Sequence, residues 1–220
     1  MSKPKRHVHY YLGLDLGQQN QFTALAVLEK TETADPEDRE QTVNTYAVRH
    51  LERFPVGTVY AQVFERVLGL FAVPPLKGGE LVVDQTGVGQ AVIDMLQHMR
   101  GRPSFTSVAV TAGLKASHDK GVWLVPKRDL VGVLQILLQT RRLKVADTLP
   151  ESPTLVKELE NFQVKPAPAG ADDLLLWREE VHDDLVLAVA VAAWHAERHG
   201  PLICRVIPHV FEPRPLPWRW

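Results

Sequence analysis

Three stretches of this chain set an aspartate where an apolar strand or helix meets a turn. They are YYLGLDLGQ with Asp15, ELVVDQTGVG with Asp84, and VHDDLVLAVAVAAW with Asp183 and Asp184. A carboxylate is costly to bury unless it is paired or binds a metal. Several that converge at the edge of a sheet form an oxygen-rich site for a hard divalent cation. Three carboxylates with open positions suit Mg2+ or Mn2+ rather than a structural Zn2+. Two such ions together activate a water and stabilise the leaving oxygen of a phosphodiester, so no protein nucleophile is needed. Each aspartate also has a plain alternative. Asp15 fits a turn, Asp84 fits a cap for the next helix, and Asp183 or Asp184 fits the stabilisation of a helix N-terminus. A shared site accounts for all of them at once.

Two other side chains have chemistry to offer. Lys127, in VPKRDL, is placed to hold a scissile phosphate or is a solvated lysine at a helix start; Arg128 beside it extends the basic pair. His182 either orients an aspartate or a water or makes a cap contact. His7 and His9 share one strand face but have no third ligand. A second basic cluster, Arg141, Arg142 and Lys144, is either a nucleic-acid contact or an ordinary helix end. The single Cys204 leaves no internal disulfide and no thiolate cluster, which fits a cytoplasmic setting.

The elements that must position these residues follow from periodicity. Residues 8–16, 22–30 and 42–54 alternate or run apolar and predict a meander of three strands, with an exposed polar loop over 33–40. Thr58 is placed to cap a helix over 59–71. LVVD at 81–84 is short and wholly apolar, as expected of a strand buried on both faces. A helix over 91–99 and a strand over 104–112 complete a parallel crossover unit. A helix is predicted over 126–140 with Pro126 in its first turn, then a short edge strand at 143–147. A helix over 152–162 with Ser152 as cap, a Pro/Gly/Ala loop at 165–173, a strand at 174–179 and a helix over 182–198 follow. The order describes an α/β fold with a mixed central sheet and helices on both faces.

The bulk numbers agree. At 220 residues, with 45% apolar residues, the chain can hold a full core. The apolar run at 185–194 is too short to span a bilayer, and MSKPKRH is followed by no apolar signal region. A net charge of -1 argues against indiscriminate coating of nucleic acid, although acidic ligands offset a local basic face. One domain over 1–200 is expected, with a tail from 201 to 220 that ends PRPLPWRW.

LGLDLGQQNQFTALAVLE, LVVDQTGVGQAVIDML, VPKRDLVGVLQILLQTRRLKV, LVKELENF and HDDLVLAVAVAAW occur in this order across most of residues 8–198. In this the chain resembles the RNase H-like nuclease domain of phage large terminase subunits, the DNA-packaging motors. The resemblance implies a two-metal endonuclease that cuts concatemeric double-stranded DNA, with Mg2+ or Mn2+ as cofactor. It places the family's acidic ligands on Asp15, Asp84 and Asp183, with Asp184 as a neighbour. Whole terminases also carry an ATPase, and here no Gly is followed by Lys, so the P-loop pattern is absent. An excised domain, a free-standing nuclease and a relative with another use all fit. The partners implied besides DNA are a separate packaging ATPase, a small terminase and a portal protein.

Three rival readings share these residues. GLDLGQQ and VVDQTGVGQ resemble the phosphate loops of the sugar-kinase and actin superfamily, which would make the chain a nucleotide-binding fragment. A Holliday-junction resolvase uses similar carboxylates on the same fold. A non-catalytic docking domain would use the Pro-rich tail.

Overall fold

The computed structural model describes residues 7–18, 20–34, 42–162 and 183–198. Most of the 33–40 loop, the loop and strand expected between 165 and 179, His182, Cys204 and the tail lie outside the described residues. Strands β1 (His7–Asp15), β2 (Thr23–Ala34) and β3 (Thr42–Phe54) form the antiparallel meander. Helix α1 (Tyr60–Phe71), strand β4 (Glu80–Asp84), helix α2 (Gln90–His98) and strand β5 (Phe105–Thr111) follow. Then come β6 (Ser117–Asp119), β7 (Val122–Pro126), α3 (Lys127–Gln139), β8 (Leu143–Val145), α4 (Ser152–Asn161) and α5 (Asp184–Arg198). The strands form one eight-stranded sheet in the order β6-β7-β5-β4-β1-β2-β3-β8. β4 lies parallel to β1, β5 to β4, β7 to β5 and β8 to β3. The mixed sheet of the sequence reading is thus present, and β1 and β4 are its central pair.

Strand alternation separates two cores. Leu12, Leu14, Val27, Leu81 and Val83 face α1 and α2, whose apolar stripes include Val63, Phe64, Val67, Ile93 and Leu96. Tyr11, Ala24, Ala26, Val82, Val108 and Val125 face the other way, against α3, α4 and α5. A sheet covered on both faces needs central strands that are apolar on both sides, and β1 and β4 supply them. Among the described residues no helix is long and apolar enough to cross a membrane.

Helix α5 is buried along Asp184 to Ala196. It lies over β1 at Gly13, where a Cβ would come 1.9 Å from the carbonyl oxygen of Ala188 and 3.1 Å from the Ala192 Cβ. Only a residue without a side chain lets helix and strand approach this closely. The small residues Ala188 and Ala192, one turn apart, complete the contact. Tyr11 meets His195 edge-on with ring centroids 5.9 Å apart. Tyr11 starts the inward series of β1 and Asp15 ends it, so α5 runs antiparallel to β1 with its N-terminus over the Asp15 end.

Three expectations need correction, and one hairpin falls where the sequence predicted no element. Thr58 does not cap α1: its hydroxyl donates to Pro55 O at 2.6 Å, and Val59 holds the cap position. Pro126 belongs to the end of β7, and α3 starts at Lys127. The β6–β7 hairpin replaces what reads as connection before α3; Lys120 and Gly121 turn it with φ values of 47° and 85°. Ser152 is the first residue of α4 rather than its cap, which falls on Glu151. Arg142, in the second basic cluster, is engaged within the protein. It donates to Glu197 at 3.0 and 3.2 Å and so ties the start of β8 to the end of α5.

Gly13→Ala would push a methyl group into the α5 backbone. Overpacking of this kind costs roughly 1–3 kcal/mol, and contact with backbone rather than a side chain puts this case at or above the upper end. Urea denaturation of the variant is expected to show a loss of about 3 kcal/mol. A variant as stable as the parent would mean that α5 does not rest on β1 at this point.

Candidate functional site

One row of register partners crosses the sheet at its centre. Asp84 on β4 pairs with Asp15 on β1, Asp15 with Ala24 on β2, and Ala24 with Arg53 on β3. Register partners project to the same side of a sheet, here the side covered by α5. The two carboxylates therefore stand on neighbouring strands about 4.8 Å apart. Both are buried, Asp15 to 3% and Asp84 to 0% exposure.

The loops that follow the two strands are tied to each other. Leu16 N donates to Asp84 O at 3.3 Å, and Gln18 Nε2 donates to Gly87 O at 2.8 Å. Asp84 Oδ1 accepts from Thr86 N at 2.8 Å and from the Thr86 hydroxyl, which in turn accepts from Val110 N at 2.7 Å. This turn after β4 fixes the rotamer of Asp84. Asp84 therefore does not cap α2, whose cap position is Gly89; it closes an aspartate turn two residues long beside Asp15.

Asp183 and Asp184 open α5 over the same row. The Asp183 carbonyl accepts the first helical bond, from Leu187 N at 2.9 Å. The side chains of the two residues diverge. Asp183 Oδ2 accepts from Lys127 Nζ at 2.7 Å, from the start of α3. Asp184 Oδ2 accepts from Arg53 at 3.2 Å, from the end of β3. In the sheet order β7, which leads into Lys127, lies on the Asp84 side, and β3 lies on the far side of Asp15. Asp183 is thus turned towards the side of the acidic pair and Asp184 away from it.

Lys127 is not the solvated lysine of the plain alternative. Its side chain is 11% exposed, and its ammonium sits 5.0 Å from the Phe162 ring centroid. Arg128 points outward, with a side chain 47% exposed and 3.6 Å from Asp129. The structure pairs Asp15 with Asp84 in register, joins Asp183 to Lys127 and Asp184 to Arg53 at the start of α5, and leaves Arg128 at the periphery.

Two members of the cluster were not singled out from the sequence. Glu158 on α4 is 4% exposed, binds Arg53, and accepts from Val186 N at 2.9 Å. Burial pushes its carboxyl up to about 7, against the downward pull of the Val186 N–H and Arg53; Asp184 and Asp183 add to the rise. Arg53 joins Glu158 to Asp184 and lies over the Phe22 ring at 4.5 Å. The sequence signal for Glu158 was present, since helical spacing from the buried Leu155 puts it on the packed face.

Two buried carboxylates, Asp15 and Asp84, stand in the row, and three more, Glu158, Asp183 and Asp184, are held by Arg53 and Lys127 at the start of α5. Excess negative charge in a buried, all-oxygen setting calls for a hard cation. As arranged, no group of three or more His, Cys, Asp or Glu among the described residues stands ready to hold a metal ion. The Asp183 carboxylate is turned onto Lys127. The donor types fit a divalent ion, and Lys127 fills the charge role beside Asp183.

No family model matches the chain, and no curated protein matches it. Solved structures do. The crystal structure of the large terminase nuclease from thermophilic phage G20c superposes with a TM-score of 0.55 at 21% identity, over 84% of this chain and 81% of that one. A second structure of that nuclease, with bound zinc, gives 0.51 at 22% identity over 84% and 80%. The RuvC structure from Thermus thermophilus gives 0.41 at 13% identity over 85% and 92%. The chain has the RNase H-like fold, as the ordered motifs suggested.

The Glu158 carboxyl gives the site a pH signature. Its folded value, about 7, lies above its ordinary 4.5, so between these two pH values the folded chain holds a proton that the unfolded chain has lost. Stability from this group therefore falls as pH climbs through that window. In chelator, the melting temperature of the parent relative to Glu158→Gln is expected to drop between about pH 5 and about pH 8. A constant difference would show that Glu158 is ionised throughout.

Proposed function

We propose that this chain is a divalent-metal-dependent DNA endonuclease of the large terminase type, which cuts concatemeric viral DNA during genome packaging. The observation that carries the reading is the pairing of Asp15 with Asp84 in register beneath the N-terminus of α5. Asp15, Asp84 and Asp183 would hold two ions, Mg2+ or Mn2+ by their all-oxygen donor set. The engagement of Asp184 by Arg53 supports Asp183 as the third ligand. The chemistry such ions supply is activation of a water and stabilisation of the leaving oxygen of a phosphodiester. The structure of the G20c nuclease with bound zinc supports a divalent ion in this fold.

The chain's own groups do the rest. The paired strands set the spacing of the two buried carboxylates, and the tied loops hold both strand ends. Lys127 neutralises Asp183 and, with ions held by the aspartates, would be placed to meet a phosphate oxygen, with Arg128 beside it for the neighbouring backbone. His182, adjacent to Asp183 in sequence, would orient it. The substrate is double-stranded DNA, gripped mainly through phosphates, so binding weakens as salt rises. The work is placed in the host cytoplasm, with a separate packaging ATPase, small terminase or portal protein as partner.

Supercoiled plasmid incubated with the purified chain and Mn2+ or Mg2+ should be nicked and linearised. Asp15→Asn and Asp84→Asn should each fold, by circular dichroism, and cut at least about 100-fold more slowly, a loss larger than that for residues which only support a ligand. Folded variants that cut at the parent's rate would remove the reading.

A further inference from the structure

Asp184 shares the Arg53 guanidinium with Glu158, and this arrangement has a geometric effect on its neighbour. We propose that Arg53 and Glu158 are positioning residues: together they clamp the first turn of α5 so that Asp183 is presented to the Asp15–Asp84 pair. The inference rests on the nuclease reading above.

Three observations lead to it. The first is the origin of Arg53. The register between β2 and β3 shifts between Val27 and Leu28, so that His50 pairs with Val27 and Val48 with Leu28. Arg49 is the extra residue, and it turns outward to bind Glu29 at 2.9 and 3.0 Å. The shift exchanges the faces of β3: Tyr46 and Val48 pack under α5 before it, and Leu51 after it. Arg53, two residues beyond Leu51, thereby enters the row of Asp84 and Asp15. Bulges commonly re-aim a side chain towards a site in this way.

The second is the shape of the clamp. Arg53 comes from the sheet, Glu158 from α4 and Asp184 from α5, so one guanidinium joins three elements. Glu158 also accepts from Val186 N, one of the first-turn N–H groups that a helix cannot satisfy itself. Once ionised, above about pH 7, the carboxylate also interacts favourably with the helix dipole. The rotation of the first turn about the helix axis is therefore held from two sides.

The third is the small residue under it. Ala24 stands between Asp15 and Arg53 in the row and has 0% exposure. Its small side chain leaves the first turn of α5 room between an acid on one strand and a cation two strands away. With Asp184 drawn to the β3 side, Asp183 is set on the opposite side, where Lys127 now meets it.

Mn2+ binding, followed by electron paramagnetic resonance, and plasmid-cleavage kinetics test this. Arg53→Met and Glu158→Gln should lower Mn2+ affinity about 10-fold to 100-fold, the range seen when a ligand loses its support. They should lower kcat with little change in KM for DNA, since neither residue is placed to touch the substrate. Arg53→Lys keeps the charge but not the fork and should recover part of both losses; it also decides the matter if Arg53→Met does not fold. Asp15→Asn serves as reference. If the folded Arg53 variants bind Mn2+ and cut like the parent while Asp15→Asn does neither, the clamp is wrong and the nuclease reading stands. If Asp15→Asn also binds and cuts like the parent, the nuclease reading fails and the clamp with it.

Discussion

At Gly13 the backbone of α5 lies against the face of β1, so close that a Cβ would be 1.9 Å from Ala188 O. The placement of the acidic cluster depends on this contact. An ordinary strand residue would hold the helix off by the thickness of a side chain and lift α5 away from the sheet. Two alanines on the helix and a glycine on the strand remove that thickness. The nearly continuous apolar surface of α5 then follows from geometry, since a helix that sits this deep is enclosed on all sides.

A helix buried to this depth needs its ends satisfied inside the protein. The N-terminal end receives Glu158 through Val186 N. The C-terminal end receives Lys30, which is 0% exposed and donates to Ala196 O at 3.2 Å while pairing with Glu32 at 2.8 Å. An anion at the positive end and a cation at the negative end both interact favourably with the helix dipole. Nearby, Glu197 has the unfavourable sign for its position, and Arg142 and the Tyr46 hydroxyl offset it. Breaking such a buried pair on one side leaves an uncompensated charge at a cost of about 3–5 kcal/mol. These pairs tie α5 to β2, β3 and α4, so the apolar contact at Gly13 sets its depth and the charges help to set its register.

Much of this was legible in the sequence. Alternating or apolar runs gave the three strands of the meander, a short wholly apolar run gave β4, and apolar spacing with turn and cap signals gave α1 to α4 with ends within a few residues. Asp15 and Asp84 stood out because each closes an apolar strand, and Asp183 because it opens a helix too apolar to be exposed. What escaped depended on non-local pairing. Arg53 reads as an outward residue if the alternation of Tyr46 and Val48 is continued, and only the bulge against β2 reverses it. β6 and β7 are three and five residues long and flank a tight turn, too short for a periodic signal. The role of Lys127 depends on a partner 56 residues away, and no local pattern reports that.

The pair Asp183–Asp184 shows why the step from pattern to chemistry needs the fold. The sequence sets the two carboxylates side by side, and the resemblance favours Asp183. On the first turn of a helix, neighbouring positions point about 100° apart. Once one of them is drawn to a cation on the β3 side, the other is committed to the opposite side. The assignment therefore turns on which neighbour binds Arg53, and Arg53 lies in reach because a single inserted residue in β3 changed the face of everything after it. A local irregularity two strands from the acidic pair thus separates a carboxylate that meets Lys127 from one that meets Arg53.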